Sequence, residues 1–205
     1  MILKNETVPF PKFISAHKLL ENRFLLELSN KDNKKGIKKI ELTIGDHVCL
    51  VEYPQDLICD TIVKGLLSKR YGGLESPSVF VLVADNKLDF YKIVEIADKK
   101  YQINLDIVLT HTIVKRFFTI HQLADFLIND LKTDIKKKYK SKLVIITGDF
   151  FLSDLQITKD EKDWLYPQMI RAIKNITDSI ILIFSPITLS NLINYENNNC
   201  NKKNV

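Results

Sequence analysis

KLVIITGDFFLSD, residues Lys142 to Asp154, is the stretch that decides the fold of this 205-residue chain. Five apolar or β-branched residues in a row are followed by a turn that carries two carboxylates. A run this apolar predicts a strand buried on both faces, and such strands belong to parallel sheets covered by helices. Ligand crevices in open α/β sheets lie at the carboxyl ends of the strands. Any site should therefore lie near Thr147, Gly148 and Asp149.

Strand patterns alternate with helical patterns along most of the chain. Beside the central strand, strands are predicted at 37–43, 47–53, 78–84, 106–112 and 179–184. Helices are predicted at 15–28, from Pro54 to about Gly72, and at 91–101, 119–139, 160–177 and 186–195. Thr158 and Glu161 are spaced as a capping box, and Pro167 should kink the helix at 160–177 or delay its start. This alternation predicts one α/β domain with a mainly parallel sheet.

Charge and cysteine content narrow the function classes. The net charge of +5 permits nucleic-acid binding without requiring it, and the presence of only four arginines argues against sequence-reading DNA contacts. The three cysteines have no metal-ligand spacing, which indicates reduced thiols. No stretch approaches the length of a membrane span, and the first residues lack an uninterrupted apolar segment. We therefore expect a cytoplasmic protein without membrane contact.

Three segments occur in an order that resembles the ATPase core of the RecA/RadA recombinase family. VFVLVADNKLDFYKIVEIADKKY, residues 79–101, looks like the family's second core strand, acidic turn and following helix. RFFTIHQLADFL, residues 116–127, is similar to its arginine-x-phenylalanine-x-threonine-x-histidine-glutamine segment. KLVIITGDF, residues 142–150, stands in the place of the Walker B strand. Thr119 and Gln122 also suit an ordinary helix cap.

The resemblance implies a three-layer RecA-like α/β core, with a mainly parallel sheet flanked by helices. The domain boundaries expected from it are an N-terminal arm and short helix at 1–36, the core at 37–186, and a short helix with a disordered tail at 187–205.

The chain departs from the family where nucleotide chemistry takes place. A phosphate-binding loop needs glycines and a lysine, yet residues 51–57 contain neither. Alignment puts Pro54 in this loop, Gln55 at the lysine position and Asp56 at the hydroxyl position. Proline removes a donor N–H, and the carboxylate repels a triphosphate. We expect no ATP binding in the usual way, no cofactor and no enzymatic activity.

Two further positions of the family's machinery are altered. Lys87 stands nearest the place of the glutamate that activates water, and Thr147 takes the place of the Walker B aspartate, with Asp149 displaced by two residues. A metal-dependent phosphoester hydrolase is the alternative, because Asp56, Asp85 and Asp149 would all lie near strand carboxyl ends. Asp also favours turns and helix starts, which accounts for the same positions without a metal.

Two lysine-rich runs, at 31–39 and 132–142, are candidates for phosphate contacts. A solvated helix end explains the second run equally well. The candidate nucleic-acid contacts are Lys34, Lys35, Lys38, Lys39, Lys136, Lys137, Lys138, Phe150 and Phe151. Phe150 and Phe151 follow the central strand, where recombinases place their first DNA loop.

Taken together, these features predict a non-catalytic RecA/RadA-like paralogue that acts in DNA recombination or repair as an accessory protein. Its expected partners are DNA, a recombinase or repair protein, or both, and analogy with the family suggests a homo- or hetero-oligomer. A protein scaffold unrelated to DNA is a further alternative, favoured if exposed apolar surface lies on the helix that contains Trp164, Tyr166 and Met169.

Overall fold

The computed structural model describes residues 23–28, 38–50, 54–84, 88–148 and 157–184. Its strands are β1 Arg23–Leu28, β2 Lys38–Thr43, β3 His47–Leu50, β4 Val79–Val83, β5 Thr112–Arg116, β6 Leu143–Thr147 and β7 Ile180–Phe184. Its helices are α1 Gln55–Leu66, α2 Phe90–Lys99, α3 Leu105–His111, α4 at 120–139 and α5 Lys159–Lys174, with a 3-10 helix, Lys69–Tyr71, after α1. Across these ranges no helix is long and apolar enough to cross a membrane.

Five strands form one parallel sheet in the order β3-β7-β6-β4-β5. The predicted central strand, β6, lies in the middle of this sheet, and all five of its residues are buried. β1 and β2 form a separate antiparallel pair. The prediction of an α/β fold with a mainly parallel sheet flanked by helices is confirmed.

Helices cover both faces of the sheet, which gives three layers. Along β4, Val79, Val81 and Val83 pack in a cluster with α1, α2 and α3, whereas Phe80 and Leu82 pack in a second cluster with α4 and α5. This alternation follows from the two-residue repeat of a strand. Strands buried on both faces are therefore continuous apolar runs, as the sequence of β6 indicated.

The chain reverses its direction of travel across the sheet between β4 and β6. The helix that follows β4 packs on one face, and the helix that follows β6 packs on the other. Because these two strands are neighbours, the helices after them diverge at the carboxyl edge, which is where ligand crevices form in open α/β sheets. The topology therefore makes the carboxyl edge of the sheet the expected place for a binding site.

Gly65 brings α1 very close to the sheet. A Cβ atom at this position would lie 2.6 Å from Val79 Cγ2 and 2.7 Å from Leu143 Cδ2. Any side chain would therefore collide with both β4 and β6. A glycine inside a helix costs stability relative to alanine, but here it allows α1 to pack tightly.

The long helix α4 contains two π-helical stretches. Ile120–Asp125 and Leu131–Thr133 are α-helical, whereas Phe126–Asp130 and Asp134–Tyr139 are π-helical. Thr119 caps the start, and its Oγ1 accepts a hydrogen bond from the Gln122 backbone N–H at 3.2 Å. The predicted long helix is confirmed, and the resemblance segment around Thr119 does contain a helix cap.

The prediction of a helix at 15–28 is wrong for its last six residues, which form β1. Phe24 is buried in the first cluster, and β1 pairs along its length with β2. The apolar residues of this segment suit either periodicity. Residues 23–28 form a strand because β2 pairs with them, and the local sequence pattern does not show that a partner strand exists.

The prediction of a strand at 106–112 is also wrong. Asn104 Oδ1 accepts a hydrogen bond from the Asp106 backbone N–H at 2.9 Å, so helix α3 begins at Leu105. The strand begins only at Thr112, where it pairs with Val79 of β4. The apolar run around residues 106–116 thus contains a helix and a strand, which a single periodicity does not separate.

The remaining predictions of elements agree in type with the structure where it describes them. The Thr158–Glu161 capping box is present, and α5 begins at Lys159, so Pro167 does not delay its start. The predicted helix at 186–195 and residues 1–22 lie outside the described residues.

Candidate site at the carboxyl edge of the sheet

Four helices begin at the carboxyl edge of the sheet. Each crossover in a parallel sheet must return the chain to the opposite edge, so α1, α2, α4 and α5 all start where a strand has ended. The partial positive charges of four helix N-termini therefore gather here. Whether this edge can bind an anion depends on the side chains that surround it.

The predicted degenerate nucleotide site lies at the start of α1. Pro54 is the N-cap residue and makes no side-chain cap hydrogen bond, and Gln55 is half-buried. Asp56 stands in the first turn with its side chain 51% exposed, and its Oδ1 lies 3.9 Å from Lys92 Nζ. The start of α1 thus already has a carboxylate and lacks the backbone donor that Pro54 removes.

Lys92, the cation beside this helix start, is engaged by two carboxylates. Its Nζ lies 3.3 Å from Glu95 Oε2, and the pKa of Lys92 is raised, mainly by this hydrogen bond and then by the charge of Asp56. The lysine charge is therefore compensated by its neighbours. An incoming phosphate would have to displace them.

Thr147 and Gly148 end the central strand. Thr147 is buried, and its backbone carbonyl accepts a hydrogen bond from the Ala84 N–H at 3.0 Å. Gly148 has φ +127°, a conformation that favours glycine, and its N–H donates to the Phe184 carbonyl at 3.2 Å. The backbone groups of both residues therefore make hydrogen bonds that complete the end of the sheet.

Several predicted site residues lie outside the described part of the chain, namely Lys87, Asp85, Asp149, Phe150 and Phe151. In the part that the structure does describe, no three His, Cys, Asp or Glu residues are grouped so that they could hold a metal ion. The metal site at Asp56, Asp85 and Asp149 stays an untested prediction.

The lysines at the end of α4 lie at the amino edge of the sheet. The Tyr139 carbonyl accepts a hydrogen bond from Ser78 Oγ at 3.0 Å, and Ser78 directly precedes β4. Lys136 Nζ pairs with Asp178 Oδ2 at 3.0 Å, whereas Lys137 and Lys138 are exposed. These lysines are therefore separated from the carboxyl edge by the length of the strands.

The lysines of the first basic run are less fully defined. Lys34 and Lys35 lie outside the described residues, and Lys38 and Lys39 are the first two residues of β2. Their part in phosphate binding stays a prediction.

An exposed aromatic and cationic surface at the carboxyl edge was not predicted from the sequence. We call this surface the edge patch, and it consists of Phe90, Tyr91, Arg116 and Phe118. Tyr91 is 90% exposed, Phe118 is 79% exposed and Phe90 is 38% exposed. The guanidinium carbon of Arg116 lies 5.9 Å from the centroid of the Phe90 ring. Exposed aromatic side chains beside an arginine are a combination that is common at binding surfaces, so the edge patch is the candidate site.

Local structure explains why the edge patch faces outward. Phe117 N–H donates to the Val83 carbonyl at 2.9 Å, and the Phe117 ring packs 5.4 Å from the Phe126 ring. Phe118 then turns away from the core, and its backbone N–H donates to Gln122 Oε1 at 3.0 Å. Adjacent aromatics at a helix start, as in Phe117-Phe118 and Phe90-Tyr91, cannot both face the core. That was the signal available in the sequence.

Cys59 lies in α1 behind this edge and is not a candidate nucleophile. Its thiol is buried and lies 3.7 Å from the Asp89 carbonyl. Burial, followed by the charges of Asp89 and Asp56, raises the pKa of Cys59 to about 12. Because the thiolate is the reactive form, this side chain is inert near neutral pH.

The late helix α5 presents a mixed surface. Trp164 is 67% exposed, whereas Tyr166 and Met169 are buried in the second cluster. The three side chains therefore do not form one apolar patch. Of these three side chains, only Trp164 is exposed.

These observations define an α/β protein with an all-parallel five-stranded sheet and an exposed aromatic and cationic surface at its carboxyl edge. No protein-family model matches the chain, and no curated protein is significantly similar to it. Function therefore has to be inferred from the geometry of the site.

Proposed function

We propose that this protein is a non-enzymatic binding protein that holds single-stranded nucleic acid on its edge patch. The observation that carries the proposal is the group of exposed aromatic side chains around Arg116. Proteins that bind single strands combine aromatic faces, on which bases stack, with cations that contact phosphates. Such stacking tolerates any base, which suits a chain with few arginines for reading base edges.

The start of α1 supports a role without ATP hydrolysis. Asp56 occupies the first turn, Pro54 removes a donor and Lys92 is paired with Glu95 and Asp56. Among the described residues at this helix start, a triphosphate would meet the Asp56 carboxylate and a lysine, Lys92, whose charge is already compensated. Binding of nucleic acid is therefore proposed to be independent of nucleotide.

The resemblance to the RecA/RadA core suggests the process in which this binding is used. We place the protein in DNA recombination or repair, in the cytoplasm, as a non-catalytic accessory that contacts DNA, a recombinase-like partner, or both. This part of the proposal rests on the order of three sequence segments, and the α/β architecture is compatible with it.

A protein-binding scaffold is the second candidate. Trp, Tyr and Arg are the residues most enriched at the energetic centres of protein interfaces. Trp164 of α5, together with Tyr91 and Arg116 of the edge patch, would supply such contacts. The experiment below separates this candidate from nucleic-acid binding.

The test is fluorescence anisotropy of a labelled single-stranded oligonucleotide, with duplex DNA of the same sequence in parallel, across a range of salt. We expect the single strand to bind more tightly than the duplex, with an affinity that falls log-linearly with salt and does not respond to Mg²⁺-ATP. Arg116→Ala should weaken binding, whereas Arg171→Ala, an exposed arginine on α5, should not. No binding of the single strand at low salt would refute the proposal and favour the scaffold.

A further inference from the structure

A cleft of about 540 Å³ opens at the amino edge of the sheet, at the opposite end of the fold from the edge patch. Its walls come from the end of α1, the 3-10 helix and the connection from α2 into α3. Volumes of about 300–1,000 Å³ are typical of small-molecule sites. The cleft is therefore large enough for a ligand with one or two rings.

Ser68 leaves a buried hydroxyl without a partner in the wall of this cleft. Its Oγ is buried, and among the described residues no group forms a hydrogen bond with it. Ser68 is the N-cap residue of the 3-10 helix, yet its side chain makes no cap hydrogen bond. Buried polar atoms without a partner are rare and costly, so a small shift of this wall that let the hydroxyl reach a ligand in the cleft would relieve that cost.

The cleft has a cationic and aromatic side. Arg70 stands over the ring of Tyr71, with its guanidinium carbon 4.6 Å from the ring centroid, and Tyr71 is 65% exposed. The described residues that line the cleft include Arg70 but no carboxylate. A negatively charged group is therefore favoured here, and the Tyr71 ring offers a face on which a planar group can stack.

Two carboxamides supply further polar groups. Asn104 lines the cleft, and its Oδ1 already accepts a hydrogen bond from the Asp106 backbone N–H, so its amide nitrogen is the group left to donate to a ligand. Gln102 lines the cleft beside it, at a backbone φ of +51°. Leu66 and Ile107 add apolar surface, and Ile107 is 43% exposed. The lining thus combines apolar surface with several polar side chains, as small-molecule sites do.

We propose that this cleft binds a small molecule in which a planar ring is joined to a phosphate or carboxylate group. Arg70 and Ser68 contact the anionic group, Tyr71 stacks on the ring, and the amides of Gln102 and Asn104 contact polar atoms of the ligand. Nucleoside monophosphates and aromatic carboxylates both have this chemistry. The proposal does not depend on the function of the edge patch.

The test is isothermal titration calorimetry of the full chain with AMP, with 4-hydroxybenzoate and with inorganic phosphate. We expect saturable binding of at least one ring-bearing anion, and weaker binding of inorganic phosphate, which lacks the ring. Arg70→Ala should weaken binding roughly tenfold or more, because it removes a charge-assisted hydrogen bond. Ser68→Ala should also weaken it, whereas Arg171→Ala and Arg116→Ala should leave it unchanged.

The ligand that binds identifies the anionic group that the cleft accepts. Binding of AMP alone assigns the phosphate form of the ligand, and binding of 4-hydroxybenzoate alone assigns the carboxylate form. The proposal is overturned if neither ring-bearing anion binds at millimolar concentration, if inorganic phosphate binds as tightly, or if Arg70→Ala binds like the unmodified protein. Arg70 is exposed, so its substitution should leave the fold intact, and the thermal unfolding midpoint of each variant checks this. Because Arg116→Ala tests the other edge, the two proposals can fail separately.

Discussion

Arg116 stands beside Phe90: the guanidinium carbon lies 5.9 Å from the ring centroid, which joins the end of β5 to the start of α2. The two residues meet because β4 and β5 are parallel neighbours, with Val83 paired to Arg116. The chain leaves both strands at the same edge. A surface built from two separate crossovers thus presents aromatic faces and a cation together.

The contributions of charge and of stacking to binding at the edge patch can be measured separately. Arg116→Ala should lower the affinity for a single-stranded oligonucleotide and reduce the slope of log affinity against log salt by about one. Phe118→Ala should lower the affinity by roughly 1–3 kcal/mol and leave the salt slope unchanged, since it removes only a stacking face. Anisotropy titrations at several salt concentrations measure both quantities.

The control for these two substitutions is Phe118→Tyr, which retains the aromatic face and should retain the affinity. If Phe118→Ala and the unmodified protein bind equally well, the exposed ring takes no part and the edge patch is not a stacking surface.

An ion pair between the largely buried Asp60 and the exposed Lys100 should hold α1 to the end of α2. Asp60 Oδ1 lies 2.6 Å from Lys100 Nζ and accepts a hydrogen bond from the Tyr101 hydroxyl at 2.8 Å. Lys64 lies further away, 3.7 Å from Asp60 Oδ2. Asp60→Asn should lower the free energy of unfolding by about 1–3 kcal/mol, because it weakens the charged hydrogen bonds.

Urea denaturation gives this free energy directly. Asp98→Asn is the matched control, because Asp98 is an exposed aspartate on α2, and it should change stability little. An Asp60→Asn protein as stable as the Asp98→Asn protein would show that the pair contributes nothing net.

The capping box of α5 should make stability depend on pH. Hydrogen bonds from the Thr158 backbone N–H and hydroxyl lower the pKa of Glu161 below its ordinary value of 4.5. A lowered pKa in the folded state stabilises the protein above the ordinary value. That stability is lost as the pH falls through the lowered pKa.

Glu161→Gln should flatten this part of the pH profile, which thermal unfolding between pH 7 and about 3 records. Glu95→Gln is an informative companion, because Lys99 and Lys92 lower the pKa of Glu95 at a different helix. Parallel profiles for Glu161→Gln and the unmodified protein would contradict the prediction.

Cys59 should resist alkylation in the folded protein. Burial and the nearby Asp89 and Asp56 raise its pKa to about 12, so the thiolate is scarce at pH 8 and the thiol is inaccessible. Iodoacetamide followed by peptide mass spectrometry should find Cys59 unmodified until urea unfolds the chain. Rapid labelling of Cys59 under native conditions would mean that α1 opens readily from the sheet.

The raised pKa of Cys59 also predicts the direction in which stability changes at high pH. A thiol that holds its proton in the folded state favours folding below its ordinary value of 9.0 and loses this advantage as the pH rises. Cys59→Ser should therefore reduce the loss of stability between pH 8 and about 11.

The strands of the sheet could be predicted from short patterns because burial on both faces requires continuous apolar residues. β4, β6 and β7 are all buried along their full length and were identified on that basis. The helix caps at Thr119 and Thr158 could also be predicted, since each depends on residues three positions apart. Local chemistry decides these features, so the sequence alone was enough.

Pairing between distant segments could not be predicted from short patterns in this way. β1 became a strand because the distant strand β2 pairs with it. The start of α3 is a different case, because the Asn104 cap is local, and the apolar run that continues into β5 favoured a strand prediction over it. In both segments the side chains suit either periodicity.

The sequence by itself determined the α/β class, the central strand and the absence of glycine and lysine from residues 51–57, because each follows from residue types within a short window. Only the tertiary structure decided the strand order, the pairing of Asp56 with Lys92 and the position of Lys136 to Lys138 at the amino edge. It also assembled Phe90, Tyr91, Arg116 and Phe118 on one edge. These relationships join residues from separate crossovers, and parallel packing of strands is what brings such residues together.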